Sequence, residues 1–537
     1  MPSLNERLSS VLPKDETFKV LHLQSFPRKA PNILKDNASK NTLTIKSLHW
    51  INLVQDNVMI FGMEVYVYII LNQANNFDNP QPITKLLYIS KVDSTGLNTT
   101  KIKFTLVSQE VLRHLIGINV THYTDHFLDP SLIDDSDPQP TVRKRLRDLA
   151  AHYDHHTKSY DLPEKDITVC SLASNTHLIG KPVVVEISLF TRAEKQYLFP
   201  YSYRNLNKHV LSDRDLLSWW LYLLNKLVVD NTVFSKLIHS TLTIPGEDKM
   251  AIDRFIHKYN TPGKKVWGLG GIYDDQGDKS QLAVFQIPLF PDDPKGRFLE
   301  HLVTENRIKK VSTGQFWSEL AVRQEFRLSN IVGIIHIKGL SSGQETFQPR
   351  QNEYQDIANL NANDVFNDLG TVIVNGDHST NKYPQKSTGV NEPPIDKDYQ
   401  ATLNNNKYPQ GITVLKLKIS EFATSGIKIN NFTDDMIILT NKRLKYLKDL
   451  ITSEEYDSSE SARESFKNLD YLLAKSCRYQ YAQNNKNLQK GFKKMCGKME
   501  YSERVQSDKK SIEVSPVQQL STMKKGKKRV ILTSVQQ

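Results

Sequence analysis

Cysteine is scarce in this chain: only Cys170, Cys477 and Cys496 occur among 537 residues, and they lie far apart. No two of them have the CxxC spacing, which argues against a disulfide scaffold and a cysteine-based zinc site and favours a reducing compartment. The first ten residues contain no apolar segment of the kind that directs secretion. The longest apolar run, 60–71, is too short to span a bilayer and includes Glu64. We therefore expect an intracellular, soluble protein with no membrane partner.

Familiar phosphate-binding and metal-binding motifs are also missing. The glycines of 268–271 lack the GxGxxG spacing, and 271–280 places an aspartate before Lys279, so neither segment is a phosphate-binding loop. Both segments favour a turn within a hairpin. The sequence has no HExxH, and the histidines of 152–156 have helical spacing without a matching ligand set, which favours a solvated basic helix over a metal site. We expect no metal cofactor.

Positive charge is in excess, with a net charge of +11 and a pI near 9.1. Such an excess favours an acidic or nucleic-acid-associated partner, although it also serves solubility. The segment KKGKKR at 524–529 suits a nuclear import signal or a nucleic-acid patch, and generic solvating charge is an equally good interpretation. The hydrophobic content of 39% is typical of a globular protein with disordered segments.

Hydrophobic periodicity predicts both strands and helices, and hence an α/β fold. The predicted strands are 64–71, 86–93, 101–107, 182–190, the pair 266–275 and 281–290, and 330–339. The predicted helices are 141–156, 212–230, 312–326, 440–451 and 457–476. Ser212 and Ser312 stand at helix starts, with Asp215 and Gln315 at capping-box spacing. The helix 212–230 is apolar nearly all round, so we expect it to be deeply buried.

Composition divides the chain into four parts. We assign 1–340 to a folded core, in which 128–168 is a polar and basic loop segment that suits a partner surface. The Asn-rich, Pro-punctuated range 341–411 predicts a long disordered insertion. Order is expected to resume in a helical part of the core at 412–484, and 485–537 is predicted to be a basic, disordered tail.

Two adjacent carboxylates and a lysine stand in the proline-stiffened stretch IPLFPDDPKGRF at 287–298. Paired carboxylates near apolar walls differ in pKa and can supply a general base. A turn in which Asp292 and Asp293 cap backbone amides is the alternative, and the residues taken alone favour it.

Two adjacent tryptophans, Trp219 and Trp220, lie within the predicted buried helix. Consecutive residues of a helix point about 100° apart, so one ring can fill the core while the other lines a cavity. Packing of both rings in the core is the simpler interpretation.

Nine blocks of sequence, in this order along the chain, resemble a known family. Among them are LNERLSSVLP, ISKVDSTG, LFTRAEKQYLFP, NKHVLSDRDLLSWW, IPLFPDDPKGRF and FWSELAVRQEF. Together they resemble the fungal histone acetyltransferases of the Rtt (regulator of Ty transposition) family over 1–340 and 430–480. The resemblance implies a fold similar to that of the CREB-binding-protein acetyltransferase, in which a central mixed β-sheet surrounded by helices holds acetyl-CoA.

The resemblance also implies an activity and a cellular setting. It implies acetyl transfer to lysines of newly made histone H3, bound to its partner histone and presented by chaperones of the Nap and anti-silencing-function families. It implies a nuclear protein of replication-coupled chromatin assembly and genome stability, linked to the DNA damage response and transcription regulation. Because no cysteine lies in the matching blocks, we expect direct transfer in a ternary complex.

Carried over position by position, the resemblance implies three groups of acetyl-CoA contacts: a strand-turn-strand edge, the FTR turn and the lead into the buried helix. The residues are Val92, Asp93, Ser94, Lys101, Ile102, Lys103, Phe104 and Thr105; Phe190 and Glu194; and His209, Val210, Leu211 and Trp219. Three positions depart from the family pattern. Lys101 replaces an arginine and loses its bidentate geometry, Glu194 stands where a small residue is expected, and Gly296 replaces an alanine.

Catalytic roles are likewise implied by the resemblance. Trp220 matches the tryptophan that walls the tunnel of the substrate lysine, and Asp293 matches the acidic residue proposed as proton acceptor. Asp93 is a second acid in the site. Lys295 matches the lysine that becomes acetylated in the enzyme itself, and its acetylation would remove an ion pair with the aspartates.

Two alternatives remain open from sequence. A non-catalytic chromatin or nucleic-acid binder would need only the net charge, the tail and the basic segment at 140–158. An acetyltransferase that acts chiefly on non-histone lysines would have the same motifs. Transfer of a labelled acetyl group to histones distinguishes these alternatives.

Overall fold

Fourteen strands join in a single mixed β-sheet within the part of the chain that the computed structural model describes. That part comprises residues 2–33, 42–72, 82–125, 127–128, 166–171, 181–270, 280–323, 331–342, 413–418, 436–439, 441–481 and 493–499. Helices pack around the sheet, so the predicted architecture of a central mixed sheet surrounded by helices is confirmed.

The strands follow one another in a non-sequential order across the sheet. They are β1 Thr17–Ser25, β2 Arg28–Ala30, β3 Thr42–Gln55, β4 Val58–Asn72, β5 Ile83–Ser94, β6 Phe127–Leu128, β7 Asp166–Ser171, β8 Val183–Thr191, β9 Phe234–Thr243, β10 Gly268–Leu269, β11 Gly333–Ser341, β12 Thr413–Lys418, β13 Ile437–Leu439 and β14 Lys493–Cys496. Their order along the sheet is β10-β9-β11-β8-β5-β4-β3-β2-β6-β7-β12, and β1 pairs with β3, β13 and β14.

The centre of the sheet is the antiparallel set β3, β4 and β5, continued by β8, which runs parallel to β5. The β5–β8 register extends from Ile83↔Val183 to Ile89↔Leu189. The two strands therefore end at the same edge of the sheet, where open α/β sheets place their ligands. The strands predicted at 64–71, 86–93, 182–190 and 330–339 are confirmed as parts of β4, β5, β8 and β11.

The helices are α1 Leu4–Val11, α2 Phe104–Gly117, α3 Thr121–Thr124, α4 Asp213–Val228, α5 Lys249–Ile256, α6 Ala283–Gln286, α7 Pro294–Thr304, α8 Thr313–Ala321, α9 Asn441–Ser453 and α10 Ser459–Tyr481. The predicted N-caps of α4 and α8 are confirmed: Ser212 Oγ accepts from Asp215 N at 3.2 Å and Ser312 Oγ from Gln315 N at 3.3 Å. Helix α4 is less deeply buried than expected: seven of its 16 residues are buried, and Tyr222 on its outer face is 50% exposed.

The predicted strand at 101–107 is wrong, because Phe104 begins α2. Its aromatic and β-branched residues suggested a strand, but the periodicity that continues beyond it is helical. Val107, Val111 and Leu115, each four residues from the next, are all buried on one face of α2.

The strand pair predicted at 266–275 and 281–290 is also wrong. Of the described residues 266–270, only Gly268–Leu269 form a strand, and this strand lies parallel to β9 and not beside 281–290. The residues of 281–290 instead include α6, and Ala283 and Ile287 pack together with the helices α7 and α8. Pro288 of this stretch lacks the N–H donor that a central strand would need. Residues 271–279 lie outside the described part.

The C-terminal part of the core is more than helical, since β12 and β13 lie within 412–484. The two predicted helices are confirmed as α9 and α10, and Phe466, Leu469 and Leu473 on one face of α10 are buried. The predicted start of the tail at 485 is too early, because β14 pairs antiparallel with β1 and places Met495 beside Phe18.

Several predictions lie wholly or mainly outside the described residues and stay predictions. These are the loop segment 128–168 with its helix 141–156, the insertion 341–411 and the basic segment 524–529. The described helices include no segment long and apolar enough to cross a membrane.

Candidate active site

A cavity of about 620 Å³ opens where β5 and β8 end. Its walls come from the end of β5, the first turn of α2, the end of β8, the segment 208–211 and α4. The predicted acetyl-CoA contacts that line it are Val92, Asp93, Ser94, Ile102, Lys103, Phe104, Thr105, Phe190, Glu194, His209, Val210, Leu211 and Trp219, together with Trp220. The structure therefore brings nearly all of the predicted cofactor residues to one cavity, and Lys101, which is exposed, does not line it.

The strand-turn-strand edge predicted along this wall is instead a strand, a loop and a helix start. The loop from Thr95 leads to Lys103, the N-cap of α2, whose side chain makes no capping hydrogen bond. Phe104 stacks on Phe61 at 5.6 Å between ring centroids and holds this end of the helix against the sheet. The first turn of α2 thus faces the cavity, and the N–H groups at a helix start are suited to an anion.

Asp93, at the end of β5, is buried and bonded on both carboxylate oxygens. Oδ2 accepts from the backbone N–H groups of residues 197–199, at 2.8, 3.0 and 3.3 Å. Oδ1 accepts from Ser94 N at 2.9 Å and from Lys208 Nζ at 2.7 Å. Five donors occupy the carboxylate, so these contacts favour positioning of the cavity wall over the predicted role of a second acid.

The segment that Asp93 holds is fixed from two further sides. Asn205 Nδ2 donates to the carbonyls of Thr95 and Tyr456, each at 2.7 Å, and so joins β5, this segment and the loop between α9 and α10. Gly96 has φ +73°, and a Cβ there would lie 2.4 Å from Lys208 N. Only glycine permits this close approach. The sequence interpretation missed Lys208, although it directly precedes the predicted contact His209.

The two tryptophans of α4 take different roles in the packing. Their rings meet edge to face at 4.8 Å. Trp219 is partly buried and donates from Nε1 to Thr105 Oγ1 at 2.7 Å, which ties α4 to the first turn of α2. Trp220 is only 6% exposed and packs in the main core while also lining the cavity. Both tryptophans therefore line the cavity, so the packing of both rings wholly in the core is not what the structure shows.

The stretch 287–298 forms the turn that starts α7. Asp292 has φ +53°, a left-handed conformation that Asp tolerates better than most residues. Asp293 is the N-cap of α7 and accepts from Lys295 N at 3.0 Å, so the capping alternative is realised. Its Oδ2 also accepts from Lys295 Nζ at 2.5 Å. The side chains of Asp293 and Lys295 are 0% and 1% exposed, so this ion pair is fully buried.

This ion pair lies behind the cavity wall and not on it. Neither partner lines the cavity, but Lys295 Nζ lies 5.8 Å from the ring centroid of Phe190, which does. Lys295 Nζ also lies 5.7 Å from the ring of Phe290. On the solvent side, Lys91 of the cavity wall pairs with Asp292 at 2.9 Å. The ring of Phe190 therefore lies next to both the cavity and the buried pair.

Tyr197 is another cavity residue that the sequence did not indicate. Its hydroxyl donates to the carbonyl of Arg192 and accepts from Glu194 N at 2.9 Å. Burial raises the pKa of Tyr197, so the phenol stays protonated. Glu194 forms an ion pair with Arg192 at 3.2 Å, which neutralises a carboxylate that would otherwise repel an anionic ligand. Among the described residues, no group of three or more acidic, histidine or cysteine side chains could hold a metal ion.

Comparison with known proteins agrees with this geometry. The family model described as histone acetyltransferase KAT11-type domain matches residues 4–471. Histone acetyltransferase RTT109 of Candida albicans is 34% identical over 322 residues, which is 59% of this chain and 82% of that protein. Histone acetyltransferase rtt109 of Schizosaccharomyces pombe is 32% identical over 201 residues, 35% of this chain and 47% of that protein.

The crystal structure of Rtt109 from Aspergillus fumigatus superposes with a TM-score of 0.52 at 17% identity, covering 93% of this chain and all of that one, and so shares the fold. The family match over most of the chain and the similarity to the Candida enzyme establish what the sequence blocks indicated. The chain belongs to the KAT11-type histone acetyltransferases and, within them, to the fungal Rtt109 family of lysine acetyltransferases.

Proposed function

We propose that the cavity binds acetyl-CoA, the co-substrate that the family implies, and that the protein transfers its acetyl group to lysines of newly made histone H3. The observation that carries this proposal is that the open first turn of α2 and Trp220 line one cavity, and that the buried Asp293–Lys295 pair lies next to Phe190 of its wall. Its volume of about 620 Å³ falls in the range of small-molecule sites.

The chemistry of the walls fits acetyl-CoA. The ligand has an anionic phosphate part and a long apolar arm that ends in the thioester. The first turn of α2 supplies N–H donors and Lys103 a positive charge for the phosphates. Apolar side chains such as Ile89, Leu189 and Phe61 line the remainder. Trp219 holds the helix start in place through Thr105, so we assign it to cofactor binding.

The acceptor lysine must lose its proton before it can attack. A free lysine has a pKa near 10.4 and arrives as an ammonium. Trp220 would desolvate the ammonium, which favours the free amine, and a carboxylate would take the proton. Asp293 is our candidate for the acceptor, since both hydrogen bonds to its carboxylate come from Lys295, which leaves that carboxylate further acceptor capacity. The amine then attacks the thioester carbonyl, the C–N bond forms, and the C–S bond breaks as the thiol of CoA leaves.

Lys295 controls that step in our proposal. Its ammonium neutralises Asp293 and holds it at 2.5 Å. Acetylation of Lys295 removes this charge, so the carboxylate accepts a proton at lower cost. We therefore propose that Lys295 is acetylated by the enzyme itself and that the modified form is the active one. Mass spectrometry of active protein tests this, and an unmodified Lys295 at full activity contradicts it.

We further propose the partners and the setting. Chaperones of the Nap and anti-silencing-function families would present histone H3 with its partner histone, and the loop segment 128–168 is our candidate contact. The net charge of +11 and the segment 524–529 support a nuclear protein on chromatin. Roles in replication-coupled chromatin assembly, genome stability, the DNA damage response and transcription regulation belong to the same proposal.

The test is a transfer assay with radiolabelled acetyl-CoA and histone H3 bound to its partner histone, with and without each chaperone. We expect labelled H3, and more label with a chaperone present. Label on non-histone lysines but not on H3 would overturn the substrate assignment. Absence of both transfer and acetyl-CoA binding would favour the non-catalytic binder.

A further inference from the structure

Lys46 lies within β3, where its ammonium is close to the rings of two tyrosines of β4, Tyr66 and Tyr68. It pairs with Tyr68 across β3 and β4. Its Nζ lies 4.6 Å from the ring centroid of Tyr66 and 5.5 Å from that of Tyr68. The residue as a whole is half-buried, so part of its side chain remains in contact with solvent.

The acid that could balance Lys46 is already taken. Glu64 on β4 is buried and pairs with Lys448 of α9, whose ammonium also lies 5.6 Å over the ring of Trp50. Among the described residues, the ammonium of Lys46 itself enters no ion pair or hydrogen bond. Two lysines thus compete for one carboxylate, and Lys448 has it.

The surroundings of Lys46 disfavour its charged form. Burial lowers the pKa of Lys46 most, followed by the positive charges of Arg28 and Lys448. Glu64 only partly opposes them, so the pKa falls to about 8. The phenols of Tyr66 and Tyr68 supply no negative charge, since burial raises the pKa of both.

Aromatic rings attract a cation and so oppose the loss of the proton. At a partly exposed site this attraction favours the ammonium by a factor of less than about ten. It therefore reduces the shift without cancelling it. At pH 8 a large share of Lys46 carries a free amine, whereas an ordinary lysine is deprotonated at well under ~1%.

We propose that Lys46 is a second acetylation site, which takes acetyl groups directly from acetyl-CoA without the active site. The free amine attacks the thioester carbonyl, the N–C bond forms, the C–S bond breaks and the thiol of CoA leaves, while the proton of the amine passes to water. Lys46 does not line the cavity, and its route differs from that of Lys295. The step needs an acyl thioester and no other reactant.

The experiment incubates the full chain with isotope-labelled acetyl-CoA, without histones, and measures label at each lysine by mass spectrometry from pH 7 to 9. Lys236 and Lys249, which are exposed, serve as references. We expect Lys46 to be acetylated on the order of ten times faster, because more of it is deprotonated. Its rate should level off above pH 8, while the rates of the references keep rising.

Variants test the cause. Lys448→Met leaves Glu64 to Lys46, so the acetylation of Lys46 should fall towards the rate of the references. Lys445→Met, an exposed lysine on the same helix, is the matched control and should change nothing. Arg28→Gln removes a positive charge that lowers the pKa of Lys46, so it should also slow the acetylation of Lys46. Because Arg28 is not part of α9, this variant remains informative even if Lys448→Met destabilises that helix.

An active-site variant separates this proposal from the proposed function. In Asp293→Asn, the label on Lys46 should persist while transfer to histone falls. Loss of both would show that the active site acetylates Lys46 and would overturn the direct route. A rate at Lys46 no higher than that of the exposed references would overturn the site itself.

Discussion

Two buried aspartate–lysine pairs flank the cavity, and they are built differently. Asp93 and Lys208 stand 115 residues apart in sequence, and Asp93 accepts five hydrogen bonds in all. Asp293 and Lys295 are two residues apart, and the carboxylate of Asp293 accepts from Lys295 alone among the described residues. Both pairs are at most 5% exposed.

This difference suggests a structural role for the Asp93–Lys208 pair and a role in proton transfer for the Asp293–Lys295 pair. Asp93 joins two distant segments and satisfies backbone donors, so its burial is accounted for by the fold. The second pair lies within one turn, joins nothing distant and still bears the desolvation cost of two charges, which stability alone seldom justifies. Its carboxylate also has acceptor capacity left, as a proton acceptor requires. The comparison favours a positioning role for Asp93 and supports our proposal that Asp293 takes the proton.

The largest effect is expected for Asp93→Asn. An amide cannot hold Lys208 and the N–H groups of 197–199 together, and a buried ammonium is left without its partner. We expect the free energy of unfolding to fall by about 3 kcal/mol and acetyl transfer to be lost with the cavity wall. Denaturant unfolding and acetyl-CoA titration measure both.

The matched control for this prediction is Asp93→Asn with Lys208→Met, which removes the orphaned charge. Unfolding should recover part of the loss, while acetyl-CoA binding stays weak. A fully stable Asp93→Asn that binds acetyl-CoA but does not turn over would reverse the assignment and make Asp93 the acid.

Asp293→Asn should act on turnover. This change removes the carboxylate that we propose takes the proton, so kcat should fall about 100-fold, with the KM for acetyl-CoA within about twofold. The loss should be greatest at lower pH, where fewer substrate amines are free. Steady-state kinetics across pH 6.5 to 9 measures it.

Asparagine can still cap α7, but the loss of the ion pair in Asp293→Asn also affects stability, so Lys295→Gln is measured alongside. Glutamine is neutral, as acetyl-lysine is, and leaves Asp293 in place. We expect this variant to retain more activity than Lys295→Arg, which keeps the charge. Equal rates for Asp293→Asn and the wild type at every pH would remove Asp293 as the base.

The sequence predicted these two pairs unequally, for a physical reason. Asp293 and Lys295 are close in sequence, so the proline-stiffened turn that holds them could be read from one stretch. Asp93 meets Lys208 only because β5 and the segment before α4 come together in the fold, and no local pattern contains that. The start of α2 was missed likewise, because the residues after Phe104 look like a strand until their spacing is followed into Val111 and Leu115.

A smaller effect is expected at Trp220, and Trp219 is its natural control. Trp220→Phe keeps an aromatic ring in the core but leaves less ring surface beside the amine of the substrate. We therefore expect kcat to fall about tenfold while the KM for acetyl-CoA changes little. Trp219→Phe loses the hydrogen bond to Thr105 and should raise that KM with less effect on kcat. The two values come from one set of initial rates. If both variants raise the KM for acetyl-CoA and leave kcat unchanged, both tryptophans position the cavity wall, as Asp93 does, and neither acts in the transfer step.

The smallest effect is expected for Ser212→Ala, which touches neither pair. Ser212 caps α4, the helix that carries both tryptophans, and its loss should lower the free energy of unfolding by about 1 kcal/mol. Turnover at 25 °C should stay within about twofold of the wild type, because the rings are held by the core and by Thr105 as well as by the cap. Thermal unfolding and initial rates measure the two effects. A tenfold drop in kcat here would mean that small movements of α4 suffice to stop transfer, and the effect of Trp220→Phe would then report helix position and not the ring.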